Sequence, residues 1–489
     1  MSTAVSSETG PGTGTSHVEL RSGAYADSVA LLQVSRSVQG VAGVRAAQVA
    51  MATPLNIEVL TSMGFAVPDA AGPNDMVVAV RVDDEDALAG ALAAVDEALR
   101  AAGKRSTGAS ADVAPHRTTA TALRDAEDGA VALVSVPGQH ALVEAMDALD
   151  AGRDVMIFSD NVPVEQEVAL KRIAADRGLL VMGPDCGTAV VGGVGLGFAN
   201  VVRPGPVGIV AASGTGCQQL LSLLDHAGVG VTSALGVGGR DLSAEVGGLA
   251  TREGLRRLDA DADVELVVVV SKPPAASVAT ELEQYAASLE TPVELALLGA
   301  GQPDLTAAAE RVLTRLGVPV PAWPVWGSAR AATGPLLRGL FAGGTLAGEA
   351  RLIAAEALGE VTSAPAALAG DTHAVVDFGD DELTTGRAHP MIDPTLRLEH
   401  LARVGADPRT GVVLLDVVLG HGAEDDPAGS LAPALAAVAA PVLVTVVGTG
   451  ADPQDLERQV RLLAEAGAEV HLSNAGATRR ALELLEARA

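Results

Sequence analysis

Several stretches of this 489-residue sequence place reactive or anion-gripping side chains where an apolar strand should give way to a helix. The sharpest is VGIVAASGTGCQQLLSLL, in which Ser213, Gly214, Thr215 and Gly216 separate a buried strand from a helix that begins near Cys217. Glycines let the backbone close on a ligand, hydroxyls cap or donate, and free N–H groups at a helix start favour negative charge. The turn therefore suits a phosphate or a carboxylate; a tight turn with an ordinary cap is the plainer alternative. SALGVGGRDLSAEVGG sets Gly238 and Gly239 before Arg240 and Asp241, so Arg240 either grips an oxyanion or pairs with Asp241, which can also cap the next helix. Lys272 closes VELVVVVSKPP and meets either an anion or solvent. In DFGDDELTTGRAHPMID, Arg387 can orient an oxyanion and His389 can serve as general acid/base or be phosphorylated, unless the loop is merely polar surface. Pro184, Asp185 and Cys186 of MGPDCGT follow another buried strand, with Cys186 a core thiol, a contact for a thioester cofactor or a nucleophile. His421 and the turn Ser473-Asn474-Ala475 complete the set of candidate ligand contacts.

Charge narrows what these turns can serve. With 61 acidic and 33 basic side chains the net charge is −28, which repels nucleic acid and anionic membrane before contact. Only three lysines are present, at 104, 171 and 272, so a small anion must be held by backbone N–H groups and a few placed cations. Cys186 and Cys217 are too few for a disulfide framework and lack zinc spacing, which points to a reducing cytoplasm and no metal. The start, MSTAVSSETGPGTGTS, has no basic region before an apolar core and is expected to be a disordered lead rather than a signal peptide. The uncharged stretch from Ser430 to Ala451 is broken by Pro433, Pro441 and Gly448, and predicts a helix followed by a buried strand rather than a membrane span.

Strand and helix patterns divide the chain further. After the lead at 1–16, residues 17–101 alternate short strands and helices, as in a small α+β module of the ferredoxin or ACT type, and a polar linker follows at 102–117. Residues 118–200 carry the βαβ alternation of a Rossmann-like parallel sheet, without the G-x-G-x-x-G turn of a dinucleotide site. Blocks at 201–330 and 371–489 read as two further parallel-sheet domains, joined by a helical connector at 331–370; no residue-level repeat is expected between them. Aromatics make up only 2% of the chain, so these cores must be built from Ala, Val, Leu and Gly.

From Gly183 to Gly248, and again in SKPPA, FAGGTL, GRAHPMID, LLDVVLG and LSNAGA, the sequence resembles the FdrA family, itself related to succinyl-CoA synthetase and other NDP-forming acyl-CoA synthetases. The resemblance implies a CoA-binding-like Rossmann domain followed by two flavodoxin-type ligase domains, with phosphate at the turn Ser213 to Gly216 and CoA as a possible cofactor near Pro184, Asp185 and Cys186. The synthetases carry a phosphorylated histidine in a G-H-A-G loop; no such loop lies between Gly205 and Ser328, and no nucleotide-grasp domain is present. FdrA-type proteins are associated with oxamate carbamoyltransferase, in which oxalurate and phosphate give oxamate and carbamoyl phosphate. That implies a small anionic carboxylic acid and phosphate as substrates, and separate subunits or a homodimer as partners. An acyl-CoA ligase component that needs another nucleotide-binding chain, and a ligand-sensing regulatory protein, are the alternatives.

Overall fold

The computed structural model describes residues 5–9, 15–22, 24, 26, 28–68, 70–72, 75–106, 116–384 and 388–488. Two compact units emerge, one in residues 1–115 and one built from His116–Thr384 and His389–Ala489. In the first, four antiparallel strands lie in the order Val5–Thr9, Thr15–Ser22, Asp75–Val82, Val44–Met51. Side chains alternate across a strand, and Asp75–Val82 shows the result. Met76, Val78, Val80 and Val82 meet the helices Ser28–Gln39 and Glu85–Ser106, while Val77 and Ala79 meet Leu60 and Phe65 on the other face. Val5–Thr9 pairs in register with the next strand, so the lead expected to be disordered over 1–16 supplies an edge strand instead. Its β-branched and hydroxyl residues, VSSET, suit a sheet edge.

The second unit holds three sheets. Ala132–Val134, Val155–Ile157 and Val181–Met182 form a small parallel one. The second has the order Val293–Leu297, Leu266–Ser271, Val207–Ala212, Val231–Gly236, followed by an antiparallel hairpin, Thr188–Val191 and Val194–Gly197. That hairpin falls within the block read as 118–200 but extends the sheet of the following block. The third sheet runs Val325–Trp326, Glu469–His471, Val442–Val447, Thr410–Val418, Leu336–Phe341, His373–Asp377, Val361–Thr362. Its strands Thr410–Val418 and Val442–Val447 are near-continuous apolar runs because helices cover both faces.

The connector at 331–370 is a correction. Only Gly344–Leu358 of it is a long helix; Leu336–Phe341 is an interior strand, paired on both sides. Arg338 hid it. This arginine is fully buried within the strand and donates to the carbonyls of Gly370, at 2.6 Å, and Thr372. A strand with an arginine in its middle does not read as apolar, yet the carbonyls meet the burial requirement of the cation. The uncharged stretch from Ser430 resolves into the helix Pro427–Ala437 and the strand Val442–Val447, with Pro441 at the boundary as expected, whereas Pro433, read as a break, lies inside the helix. Among the described residues no helix is long and apolar enough to cross a membrane.

The second and third sheets share one core. Leu220, Leu224 and Leu313 from helices of the second sheet join Leu346, Ala350, Ala477 and Ala481 from helices of the third in a single buried cluster. Helices Gly214–His226, Leu305–Arg315, Gly344–Leu358 and Asn474–Glu486 are the elements that bring the two sheets together.

Candidate functional site

The strand Val207–Ala212 is wholly buried and releases the chain at Ser213, whose extended backbone (φ −167°) starts the helix Gly214–His226. Ser213 Oγ accepts the Gly216 N–H at 3.0 Å, so Gly216 is consumed by the cap, and Gly214 is the partly exposed residue of the turn, with Thr215 buried behind it. Opposite stands a second helix start that sequence reasoning passed over: the strand Leu336–Phe341, then Ala342-Gly343-Gly344-Thr345, then the helix Gly344–Leu358. The hydroxyls of Ser213 and Thr345 hydrogen-bond at 2.6 Å, so the two helix starts face one another. Each contributes roughly half a positive charge.

Glycine is required on the second start by close approach. A Cβ on Gly343 would lie 2.9 Å from Thr215 Cγ2 and 3.0 Å from Asp416 Oδ2. Asp416, completely buried, takes the Ala342 and Gly343 N–H groups at 2.7 and 2.8 Å and an ion pair with Arg397 at 2.8 Å, which fixes the turn. A Cβ on Gly344 would collide with Asp377 Oδ2 and stand 3.4 Å from Lys272 Nζ. Lys272 and Asp377, each at the carboxyl end of its strand, thus border the gap between the two helix starts. Burial pushes the Asp377 carboxyl up to about 6, against the lowering influence of the Gly379 N–H and Lys272. His389 is close by, its Nε2 2.6 Å from the place a Cβ on Gly379 would take and its ring centroid 5.9 Å from that of Phe198. Burial, assisted by Arg397, holds its imidazole down at about 4.

Of the residues singled out from the sequence, Ser213, Gly214, Thr215, Lys272 and His389 therefore converge on one gap. Arg240, Gly238 and Gly239 do not join them there. Arg240 donates to the Val162 carbonyl at 2.8 Å and pairs with Glu167 at 2.9 Å, while a Cβ on Gly238 would strike the Pro184 carbonyl. Asp241 caps the helix Leu249–Asp259 through the N–H groups of Ala250 and Thr251 and binds Lys171, whose ammonium also meets Glu167 and the Val237 carbonyl, all at 2.8 Å. These contacts clamp the small sheet to the second one. Asp185 is exposed beside that clamp, and Cys186 is buried, its thiol donating to the Gly236 carbonyl at 3.2 Å and pushed up to about 12 by burial. A thiol so placed is a core group rather than a nucleophile. Asn474, 1% exposed, is spent inside the protein on Thr445, Leu346 and Glu349. His421 is exposed, and its backbone N–H binds the Ala199 carbonyl. Arg387 lies outside the described residues.

The missed residues had a signal. Ala212-Ser213-Gly214-Thr215 and Ala342-Gly343-Gly344-Thr345 are a short repeat, each closing a strand and opening a helix, although no residue-level repeat is expected from comparing the blocks at 201–330 and 371–489. The second copy sat in the supposed connector.

Comparison with known proteins agrees with this architecture. Residues 340–484 match the CoA-ligase family, and residues 14–115 match the family described as AllF, heavy metal-associated domain. The two cysteines fall outside the latter segment, and no group of three or more His, Cys, Asp or Glu among the described residues is arranged to hold a metal. Over 155 residues the chain is 30% identical to the α2 subunit of an ADP-forming succinate–CoA ligase from Archaeoglobus fulgidus, a match that spans 31% of this chain and 52% of that subunit. A dinucleotide-forming acetyl-coenzyme A synthetase 1 from Ca. Korarchaeum cryptofilum, solved with phosphate and ADP, aligns over 78% of this chain and 88% of its own at 17% identity with a TM-score of 0.31, too loose a likeness to build on. The protein is a member of the succinyl-CoA synthetase-like acyl-CoA synthetase superfamily. Within it, the chain belongs to the family of the uncharacterized protein YahF of Escherichia coli, to which it is 36% identical over 92% of its own length and 95% of YahF.

Proposed function

We propose that this chain is an FdrA-type subunit that transfers an acyl or carbamoyl group between a small carboxylic acid and phosphate, with the phosphate held between the helix starts at Ser213 and Thr345. The observation that carries this reading is the 2.6 Å meeting of those two starts beside Lys272, because two helix N-termini and an ammonium together favour a compact, multiply charged anion. Phosphate itself acts as nucleophile on the carbonyl carbon, which requires neither ATP nor a phosphohistidine in this chain. The histidine between Gly205 and Ser328 is His226, which ends the helix Gly214–His226, roughly 18 Å from its start at 1.5 Å per residue, and so cannot act there. Oxamate carbamoyl transfer is the form of this chemistry that suits the proposal best, with separate subunits or a second copy completing the enzyme. The match to an ADP-forming ligase subunit favours one second reading, an acyl-CoA ligase component served by another nucleotide-binding chain, with CoA as cofactor.

The test is an assay of the full chain, with and without the proteins encoded beside it, for phosphate-dependent breakdown of oxalurate and for CoA-dependent ADP formation. Phosphorolysis that falls at least tenfold in Ser213→Ala and Gly344→Ala supports the proposal. Turnover indifferent to both substitutions sinks it, and ADP formation without phosphorolysis selects the ligase reading.

A further inference from the structure

We propose that Asp377 is the proton-transfer residue of this gap, with neutral His389 beside it as a fixed hydrogen-bond donor; the assignment rests on reading the gap as a phosphate site. Asp377 ends the strand His373–Asp377, and its two oxygens are in different situations. Oδ1 accepts the Gly379 N–H at 2.8 Å, which locks the carboxyl in orientation, while Oδ2 is turned to the Cα of Gly344 at the opening of the helix. The carboxyl is thus presented to whatever occupies the space between the helix starts. The charged and titratable groups around it are Lys272 from the neighbouring sheet, Asp416 with its partner Arg397, Asp380 in the same loop, and His389.

Histidine is the side chain usually given the proton-transfer role, and the structure argues against it here. Nδ1 of His389 accepts the Met391 N–H at 3.2 Å, so the neutral ring carries its proton on Nε2. A ring held neutral in this tautomer can donate from Nε2 but has no free lone pair there to accept a proton. Asp377 has the complementary property: burial keeps its carboxyl near 6, close enough to neutrality for either form to be reached. An incoming phosphate dianion, a like charge, favours the protonated form further.

In the step that follows, a lone pair of a phosphate oxygen forms the new C–O bond and the bond from the carbonyl carbon to the leaving nitrogen breaks. The leaving nitrogen keeps that electron pair and takes the Asp377 proton; the proton of hydrogen phosphate then restores the carboxyl. Nothing is oxidised or reduced. A thiolate leaving group does not need this proton, so the requirement is specific to donors with a C–N bond.

Calorimetric titration of the full chain at pH 7 with inorganic sulfate and with inorganic phosphate, in buffers of different ionisation enthalpy, tests the assignment. Sulfate carries no titrating proton in this range and reports the protein's own uptake. The wild type is expected to take up protons as sulfate binds; Asp377→Asn should bind sulfate as tightly or more tightly with the uptake lost, and Asp377→Glu should restore it. Equal uptake in wild type and Asp377→Asn overturns the role of Asp377 while leaving the phosphate site intact. Absence of binding of either anion to folded wild type overturns both. In an active assembly, Asp377→Asn should slow C–N phosphorolysis at least 100-fold, with partial rescue by Asp377→Glu, and equal slowing of a thioester donor would count against the proposal.

Discussion

The helices that join the second and third sheets meet at two places, and the two meetings are built alike. At one, Ser213 and Thr345 touch at 2.6 Å; at the other, Thr306 at the start of Leu305–Arg315 touches Ser473, the cap of Asn474–Glu486, at 2.7 Å. What surrounds them differs. Around Thr306 and Ser473 the polar capacity is filled from within: Gln219 binds both the Leu472 carbonyl and the Asn474 N–H, and Asn474 binds Thr445, Leu346 and Glu349, which also takes the Leu305 N–H at 2.6 Å. Around Ser213 and Thr345, the glycines at 214 and 344 are partly exposed and the neighbours are Lys272, Asp377 and His389. A helix start is therefore not a ligand site by virtue of its dipole. It can become one where internal acceptors leave some of its N–H groups unsatisfied, and a sealed start of the same design serves as a joint.

The contrast can be broken from the sealed side most severely. Asn474→Ala removes three side-chain hydrogen bonds from a buried position and leaves Glu349 undersatisfied, so about 2–4 kcal/mol of stability should be lost in denaturant unfolding, with sulfate affinity little altered per folded molecule. A pH series should show the same junction. Burial holds Glu349 up at about 7 against an ordinary value of 4.5, so between those values the native state keeps a proton that the unfolded chain gives up. Stability should therefore fall as pH rises across that window, by about 3 kcal/mol in total, and Glu349→Gln should flatten the slope. His389 acts in the opposite sense: held at about 4, it is neutral in the native state where the unfolded histidine is charged, and favours the fold as pH rises from about 4 to 6.5.

On the open side the effects should appear in binding before stability. Gly344→Ala puts a methyl group against Asp377 Oδ2 and into the gap, so sulfate and phosphate affinity should drop at least tenfold, about 1.4 kcal/mol, with a small change in Tm. Ser213→Ala uncaps Gly216 and parts the two helix starts at their shared hydrogen bond; a loss of about 1 kcal/mol in stability is expected, with weaker anion binding. Should Ser213→Ala and Asn474→Ala disturb binding and stability in equal proportion, the distinction between joint and site would be wrong.

The strands that carry the site were readable as apolar runs, and the turn at Ser213 was readable from its glycines and hydroxyls. Leu336–Phe341 was not, because Arg338 breaks the run and only the carbonyls of Gly370 and Thr372 explain how a guanidinium is accommodated there. Asp377 was overlooked for a related reason. In a chain with 61 acidic residues the sequence DFGDDE offers four of them, and nothing in their spacing says which one a glycine across the gap will face. Arg240 stood out as an anion-binding candidate, yet its partner is Glu167, supplied by a helix some seventy residues earlier.

By itself the sequence determined the class of the molecule: alternating apolar strands and amphipathic helices, a balance of −28 that disfavours polyanions, and glycine-rich turns of the kind that suit a small anion. Only the tertiary structure decided which turns are open. Whether a helix start is sealed depends on residues more than a hundred positions away: Gln219 takes the Asn474 N–H and Glu349 its side-chain amide, while Ser213 meets Thr345 through their hydroxyls, and no local pattern encodes that pairing.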